Sequence, residues 1–533
     1  MKLQLGLVSD GMRMRLRSLK RLLCLGISGC VVLALASCSG PGEGAQGAAG
    51  DTLRVAIASD VLPNPALGTV YGDRAAITYS LAYAPLVHVA TDGSLQPALA
   101  TSWRYVDESE STKNRLFELT LREDARFSDG TAVDAAAVVG WLTYFVEAAG
   151  PFSGVLGPDP QFEAVDARTV RIRMTAPNPA VASILSDQGP NIGFVVAPAG
   201  VDNPGLLSSG TYGAGQYRLD SERSVRGDRY LYVSNEHSYD VAAVEYQNVD
   251  LRVIADPASR IQAQLSGQLD VSTGDVATVE AAKEAGLSVV SAAQGVVFLT
   301  LDTVNNTTVP AFADVRVRQA VNLAIDRSTI ARAMLGEVGV PASSFLQTDI
   351  DAGLDDYWAY DPERARALLA EAGYADGLSF PVLVQGAYRG NRGEPLLRAV
   401  AKYLSEVGID VDITSYPTDP DYARDVFAYK APMVALLDIL SDTPTMYSSY
   451  LAPGAALNFF GGDPELDRLY AEGAAAEDPI PAWTQMWQRF TEQAYVVPLV
   501  EDPNILYVTG DVGGIEMNRD HKTALPTEWS PAG

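Results

Sequence analysis

All three cysteines of this 533-residue chain fall within its first 38 positions, at Cys24, Cys30 and Cys38. Whatever the long remainder folds into therefore contains no internal disulfide, and no zinc or iron–sulfur site built on several cysteines. It must stand on core packing alone. A chain of this length with 47% hydrophobic residues has the material for a large core or two.

The segment that carries the cysteines reads as an export signal. A basic cluster (Arg13, Arg15, Arg17, Lys20, Arg21) precedes an apolar run from Leu22 to Ala36 that ends in small residues. The run is too short to span a bilayer comfortably. Met12 and Met14 stand just before the cluster and are alternative starts to Met1. Leu35-Ala36-Ser37-Cys38 resembles the lipobox of bacterial lipoproteins. That resemblance implies a signal peptide over residues 1–37, acylation of Cys38, and an extracytoplasmic protein anchored to the membrane; an ordinary signal peptide cut after a small residue is the alternative. Residues 38–50 are Gly- and Ala-rich, have nothing to bury, and read as a tether of roughly 20 Å average reach. Two or more acyl chains would make such an anchor stable where one is marginal.

Without the leader the chain keeps 33 Lys or Arg against 65 Asp or Glu, a formal charge of −32. Such a body is repelled by nucleic acid and by anionic lipid surfaces, and its acidity helps keep an exported protein soluble.

From Asp51 the pattern becomes regular. Leu53, Val55 and Ile57 alternate as in a half-buried strand, as do Phe117, Leu119 and Leu121, and Val170, Ile172 and Met174. Val317, Ala320, Val321, Ala324 and Ile325 repeat at helical spacing behind an N-cap candidate, Asp314. Asp361-Pro362-Glu363 opens another helix, with Ala365, Leu368, Leu369 and Ala372 on its apolar face and Gly373 as its stop. A helix through Leu396, Leu397, Val400 and Leu404 stops at Gly408 and feeds a strand alternating Ile409, Val411 and Ile413. Helix feeding strand in this way predicts an α/β layered fold with parallel pairing.

Several segments together resemble one family, the solute-binding proteins of ABC importers of the dipeptide, oligopeptide and nickel class. They are Leu99-Ala100-Thr101-Ser102-Trp103 with Phe117 to Arg122 and Arg126-Phe127-Ser128-Asp129-Gly130-Thr131; Asp314 to Ala320 running on to Ala324-Ile325-Asp326-Arg327; and Tyr360-Asp361-Pro362-Glu363 with Ala367 to Tyr374. Weaker echoes are Tyr83-Ala84-Pro85-Leu86, Gly213 to Tyr217, and Asp256 through Ser266 to Asp270. Most of these residues read as scaffold: Asp129-Gly130 as a turn, and the Val317 stripe as core. Arg316 and Arg318 either pair with a neighbouring lobe or lie solvated.

The resemblance implies a two-lobe, periplasmic-binding-protein-like fold of type II, closing on a solute held in a cleft between the lobes. By family order the first lobe is 51–296 with 490–533 returning to it, and the second is 297–489. The crossings are Gly295 to Leu299 and Val496 to Val500, and Asp302 stands where the family usually has Asn. The implied role is capture of a small solute, short peptides first, with delivery to ABC permease subunits by a monomer that needs no cofactor. The alternatives are a metal chelate, an opine or a sugar as solute, or an exported hydrolase.

A peptide has an ammonium and a carboxylate, so its site wants a buried acid and an arginine fork. The stretch Asp438 to Pro444 corresponds to the family's acidic loop, with Asp442 the better candidate and Asp438 the second. It lacks the usual Trp and Gly, and Asp442 reads equally as the cap of a turn before Met446 to Leu451. For the carboxylate, Arg389 and Arg392 flank a glycine-bearing loop entering the Leu396 helix, and either bind an anion or form a solvated basic turn. Tyr83, Tyr217 and Tyr447 line a solute or belong to core and rim.

An enzyme reading finds little. Only His88, His237 and His521 exist, His88 within an apolar alternation that suits a core histidine, and no G-x-S-x-G, H-E-x-x-H or phosphate-cradling loop occurs.

Overall fold

The strand expected at Leu53, Val55 and Ile57 forms over Thr52–Ile57, with those three side chains at most 1% exposed. The computed structural model describes residues 51–532 apart from 69–72, 107–108, 110–112, 151, 302–307, 346–349, 351–352, 355–356, 387–391, 418, 429, 433, 438–441, 454, 456–457, 459–460 and 519–520. Thr52–Ile57 pairs in parallel with Asn248–Val253 on one side and Val271–Thr273 on the other. Asp270, at the end of one of the motif echoes, fixes its register: Oδ2 accepts from the Arg54 backbone N–H and Nε at 2.8 and 2.9 Å. Gly267 makes the preceding turn at φ +70°.

A four-stranded antiparallel sheet follows, in the order Ala100–Tyr105, Leu116–Leu121, Thr169–Arg173, Gln161–Ala164. The expected turn sits beside it, with Asp129 Oδ1 accepting from Thr131 N–H at 2.9 Å and Gly130 at φ +84°. Asp134 caps the helix Ala135–Glu147. These elements share one apolar core with Thr52–Ile57 and with Trp529 near the C-terminus.

Two long strands, Ser288–Thr300 and Val496–Val508, carry the chain out of this core. They pair antiparallel from Ser288↔Val508 to Thr300↔Val496, so the two expected crossings are neighbours in one ladder. The ladder shifts register between Ala293 and Gly295 and between Val297 and Phe298. One end joins Val271–Thr273, and the other carries Val434–Leu437 and Val340–Pro341. The result is one nine-stranded sheet shared by both halves.

The far ends of the long strands, through Val297, Leu299, Val497, Leu499 and Val500, enter a second core. Its helices begin where the sequence places caps: Asp314 before Val315–Leu323 and Asp361 before Pro362–Glu371. Gly373 and Gly408, at φ +91° and +87°, end helices in the left-handed region. Leu378–Gln385 and Ile409–Tyr416 pair in parallel around the helix Gly393–Glu406, as helix-to-strand order predicts. A third cluster gathers Phe298, Phe345, Met446, Trp483, Trp487 and Phe490.

The two arginines of the second motif take different partners. Arg316 pairs with Asp314 of its own helix cap, and Arg318 is 4% exposed, donating to the carbonyls of Gln493 and Phe312 at 2.8 and 2.7 Å. By the expected lobe bounds Gln493 lies in the returning segment 490–533, so Arg318 bonds across to the neighbouring lobe, whereas Arg316 pairs with its own cap. Arg327, 5% exposed, donates to Pro498 O at 2.6 Å and to Asn322 Oδ1 at 2.8 Å, tying its helix to the returning strand. Among the described residues no helix is long and apolar enough to cross a membrane.

Candidate functional site

Asp442 begins the short helix Thr443–Met446 as its N-cap, Oδ1 accepting from Thr445 N–H at 2.9 Å. The Asp-Thr-Pro-Thr sequence dictates this, with an acceptor at the cap and a proline in the first turn. The helix is anchored from behind, since Trp487 Nε1 donates to Thr443 Oγ1 at 3.0 Å and Met446 is fully buried. Tyr447–Leu451 then widens into a π-type turn. Desolvation pushes the Asp442 carboxyl above the ordinary aspartate value, while hydrogen bonds from Thr445 and the charge of Lys522 pull it down. Lys522 comes from the C-terminal segment, so the charge acting on Asp442 is supplied from far along the chain.

Tyr447 lies flat on Tyr470, ring centroids 3.6 Å apart at 7°, and donates to Asp467 Oδ1 at 2.7 Å. One face and the hydroxyl of Tyr447 are thus taken by the protein. Tyr83 and Tyr217 take the core alternative of the sequence reading. Each is 1% exposed in the first core, donating to Pro63 O and Tyr246 O, both at 2.9 Å.

Arg392 immediately precedes the helix Gly393–Glu406 and makes no side-chain cap there. Its Nη2 lies 3.7 Å from Asp502 Oδ1, on the second long strand; Asp502 is 3% exposed and also accepts from Gln294 Nε2 at 3.0 Å. Gln294 sits at the first register shift of the ladder. The two candidate poles thus have different supports, Asp442 on the third cluster and Arg392 against the crossing strands. Arg389, Asp438, Cys38 and Asp302 lie outside the described residues.

One polar constellation escapes sequence reasoning. His88 Nδ1 is 2.6 Å from Asp187 Oδ2, and Glu528 Oε1 lies 3.9 Å from His88 Nε2 and 3.4 Å from His521 Nε2. Burial disfavours both imidazolium ions, but the hydrogen bond to Asp187 for His88 and the close Glu528 carboxylate for His521, with the surrounding carboxylate charge, outweigh it; both stand above the ordinary histidine value. His88, Asp187 and Glu528 line a cavity of about 320 Å³ beside the motif residues Ala84, Pro85 and Gly215. Contacts spanning most of the chain leave no local signal. Among the described residues no group of three or more His, Cys, Asp or Glu is placed to hold a metal ion.

Comparison with known proteins gives this geometry its context. The glutathione-binding protein GsiB of Escherichia coli O1:K1 / APEC is 25% identical over 339 residues, 62% of this chain and 63% of its own length. The chain thus aligns with a little under two thirds of that relative. NikA of Brucella suis, solved in complex with Fe(III)-EDTA, superposes with a TM-score of 0.75 at 22% identity, covering 90% of this chain and 99% of NikA. OppA of Haemophilus influenzae, solved with the peptide RPPGFSPFR, gives 0.67 at 21% identity, covering 91% and 99%. These likenesses establish the fold as the two-lobe, type II periplasmic-binding-protein architecture. Residues 94–458, more than half of the chain, match the family described as bacterial extracellular solute-binding proteins, family 5 Middle, and the chain belongs to that family.

Proposed function

We propose that this protein is the lipid-anchored receptor of an ABC importer, tethered outside the cell through Cys38, and that it captures short peptides by hinge closure for delivery to a membrane permease. The observation that carries this reading is family membership joined to a relative named for binding glutathione, itself a small tripeptide. The lobes would be 51–296 with 490–533, and 297–489, turning about the ladder of Ser288–Thr300 and Val496–Val508. Asp442 would meet the solute's ammonium, and Arg389 or Arg392 its carboxylate. Closure requires a solute that binds the closed form better than the open one.

The test is calorimetry of the protein against glutathione, unmodified tripeptides and Fe(III)-EDTA, with mass spectrometry of whatever co-purifies. Saturable peptide binding accompanied by a smaller radius of gyration in scattering is the expected result. Binding of the chelate, an opine or a sugar with no peptide binding would overturn the peptide assignment while leaving a receptor; turnover of any of them would overturn the receptor.

A further inference from the structure

Besides the two crossing strands, polar contacts join the side of the first core to the second and third clusters. Lys283 pairs with Glu337, but their side chains are 38% and 69% exposed, and such a pair constrains little. A buried contact lies elsewhere. Asn114, 7% exposed, sits in the turn before strand Leu116–Leu121, and its Nδ2 donates to Ala474 O at 2.8 Å and Ala476 O at 3.3 Å. Those carbonyls close the last turn of helix Pro464–Ala475, where a helix leaves acceptors without partners of its own. A residue of the first core's sheet therefore caps a helix of the third cluster, 360 positions away.

Both ends of this contact are held rigidly. On the Asn114 side, its carbonyl accepts from Asn178 N–H at 2.8 Å, and the Asn178 carbonyl accepts from Tyr105 Oη at 2.6 Å. On the helix side, Gly473 packs so closely on Trp483 that an added Cβ would stand 2.4 Å from the indole. The backbone of Asn114 is at φ +54°, a conformation left mainly to Gly, Asn and Asp. Of these three only Asn brings an N–H donor; Gly brings nothing, and Asp would set a carboxylate against two carbonyl oxygens.

We propose that Asn114 is an interlobe latch, which holds the first lobe against the helix end of the second outside the crossing strands and so governs how readily the lobes part. The inference rests on the two-lobe hinge reading but on no particular solute. Its test therefore uses the unliganded full chain. Asn114→Gly keeps the left-handed turn and removes the donor, and Asn114→Asp adds repulsion. Both are expected to enlarge the radius of gyration in scattering, and to raise amide hydrogen exchange around residues 470–478 severalfold, Asp more than Gly. Lys283→Ala, which breaks the exposed pair, should change neither. Unchanged scattering and exchange in Asn114→Gly, folded as judged by circular dichroism, would overturn the latch. If Asp alone fails to fold, Gly still decides. If the variants open but no solute ever compacts the wild type, the latch stands and the import reading falls.

Discussion

Replacing Asp442 by Asn separates two roles that this residue combines. As the N-cap of Thr443–Met446 it needs only an acceptor for Thr445 N–H, and Asn caps as well as Asp. As partner of an ammonium it needs its charge. Asp442→Asn should therefore leave stability within a few tenths of a kcal/mol, whereas Asp442→Ala loses the cap and about 1 kcal/mol. For affinity, an ion pair at about 4 Å near a protein surface interacts by about 4 kcal/mol at an effective dielectric of about 20. Removal of one member of a desolvated pair costs about 2 to 5 kcal/mol. That is roughly thirty-fold to several thousand-fold in Kd. Calorimetry against a tripeptide with a free amine and its N-acetylated form gives the readout: the wild type should prefer the free amine, and Asp442→Asn should bind both alike. Because desolvation holds the carboxyl above its ordinary value, affinity should weaken as pH falls toward that raised value, and binding there should release protons. A loss below about threefold in Asp442→Asn, or an equal loss for both peptides, would refute the ammonium role and leave Asp442 as a helix cap.

Three other outcomes are expected. Arg327→Met orphans buried carbonyls that its guanidinium now satisfies, among them Pro498 O on the returning strand. It should cost about 3 kcal/mol or more, lowering the thermal midpoint of the affected transition by roughly 6 to 12 °C; a shift under about 2 °C would mean the carbonyls find other donors. His88 and His521 have folded values raised above the unfolded one, so their contribution to stability is complete below about pH 6.5 and is lost as pH rises through the raised values. Thermal melts from pH 6 to 8 should show this loss in the wild type and less of it in His88→Gln or His521→Gln; identical profiles would discount the pairing. Cys38→Ala should abolish incorporation of labelled palmitate and release the protein from the membrane fraction, and equal labelling with and without Cys38 would exclude the anchor.

What the sequence discloses depends on how far apart the partners lie. Caps at Asp314 and Asp361 and stops at Gly373 and Gly408 are legible because donor, acceptor and backbone requirement fall within a few residues. The parallel pairing of Leu378–Gln385 with Ile409–Tyr416 follows from the helix between them. Tyr83 and Tyr217 stay open in the sequence because an aromatic ring with a hydroxyl looks alike in a core and in a binding site; the distant carbonyls of Pro63 and Tyr246 are visible only in the fold. Arg318 and Arg327 are buried against the rule for charged residues because the guanidinium fork finds several backbone carbonyls at once.

The same division of range bears on function. Each core is specified by short-range periodicity, and so it tolerates the low identity that separates this chain from its relatives. Outside the shared ladder, long-range polar contacts also join the cores, Asn114 on Ala474 and Arg392 toward Asp502 among them, which no periodicity encodes. A receptor of this fold has to keep its lobes rigid while leaving their mutual position nearly balanced, or solute binding could not shift it. A handful of polar links is the weak coupling that such a balance demands. Substitutions at these contacts should therefore alter affinity through the opening equilibrium, whereas substitutions at Arg327 or the buried tyrosines should alter stability first.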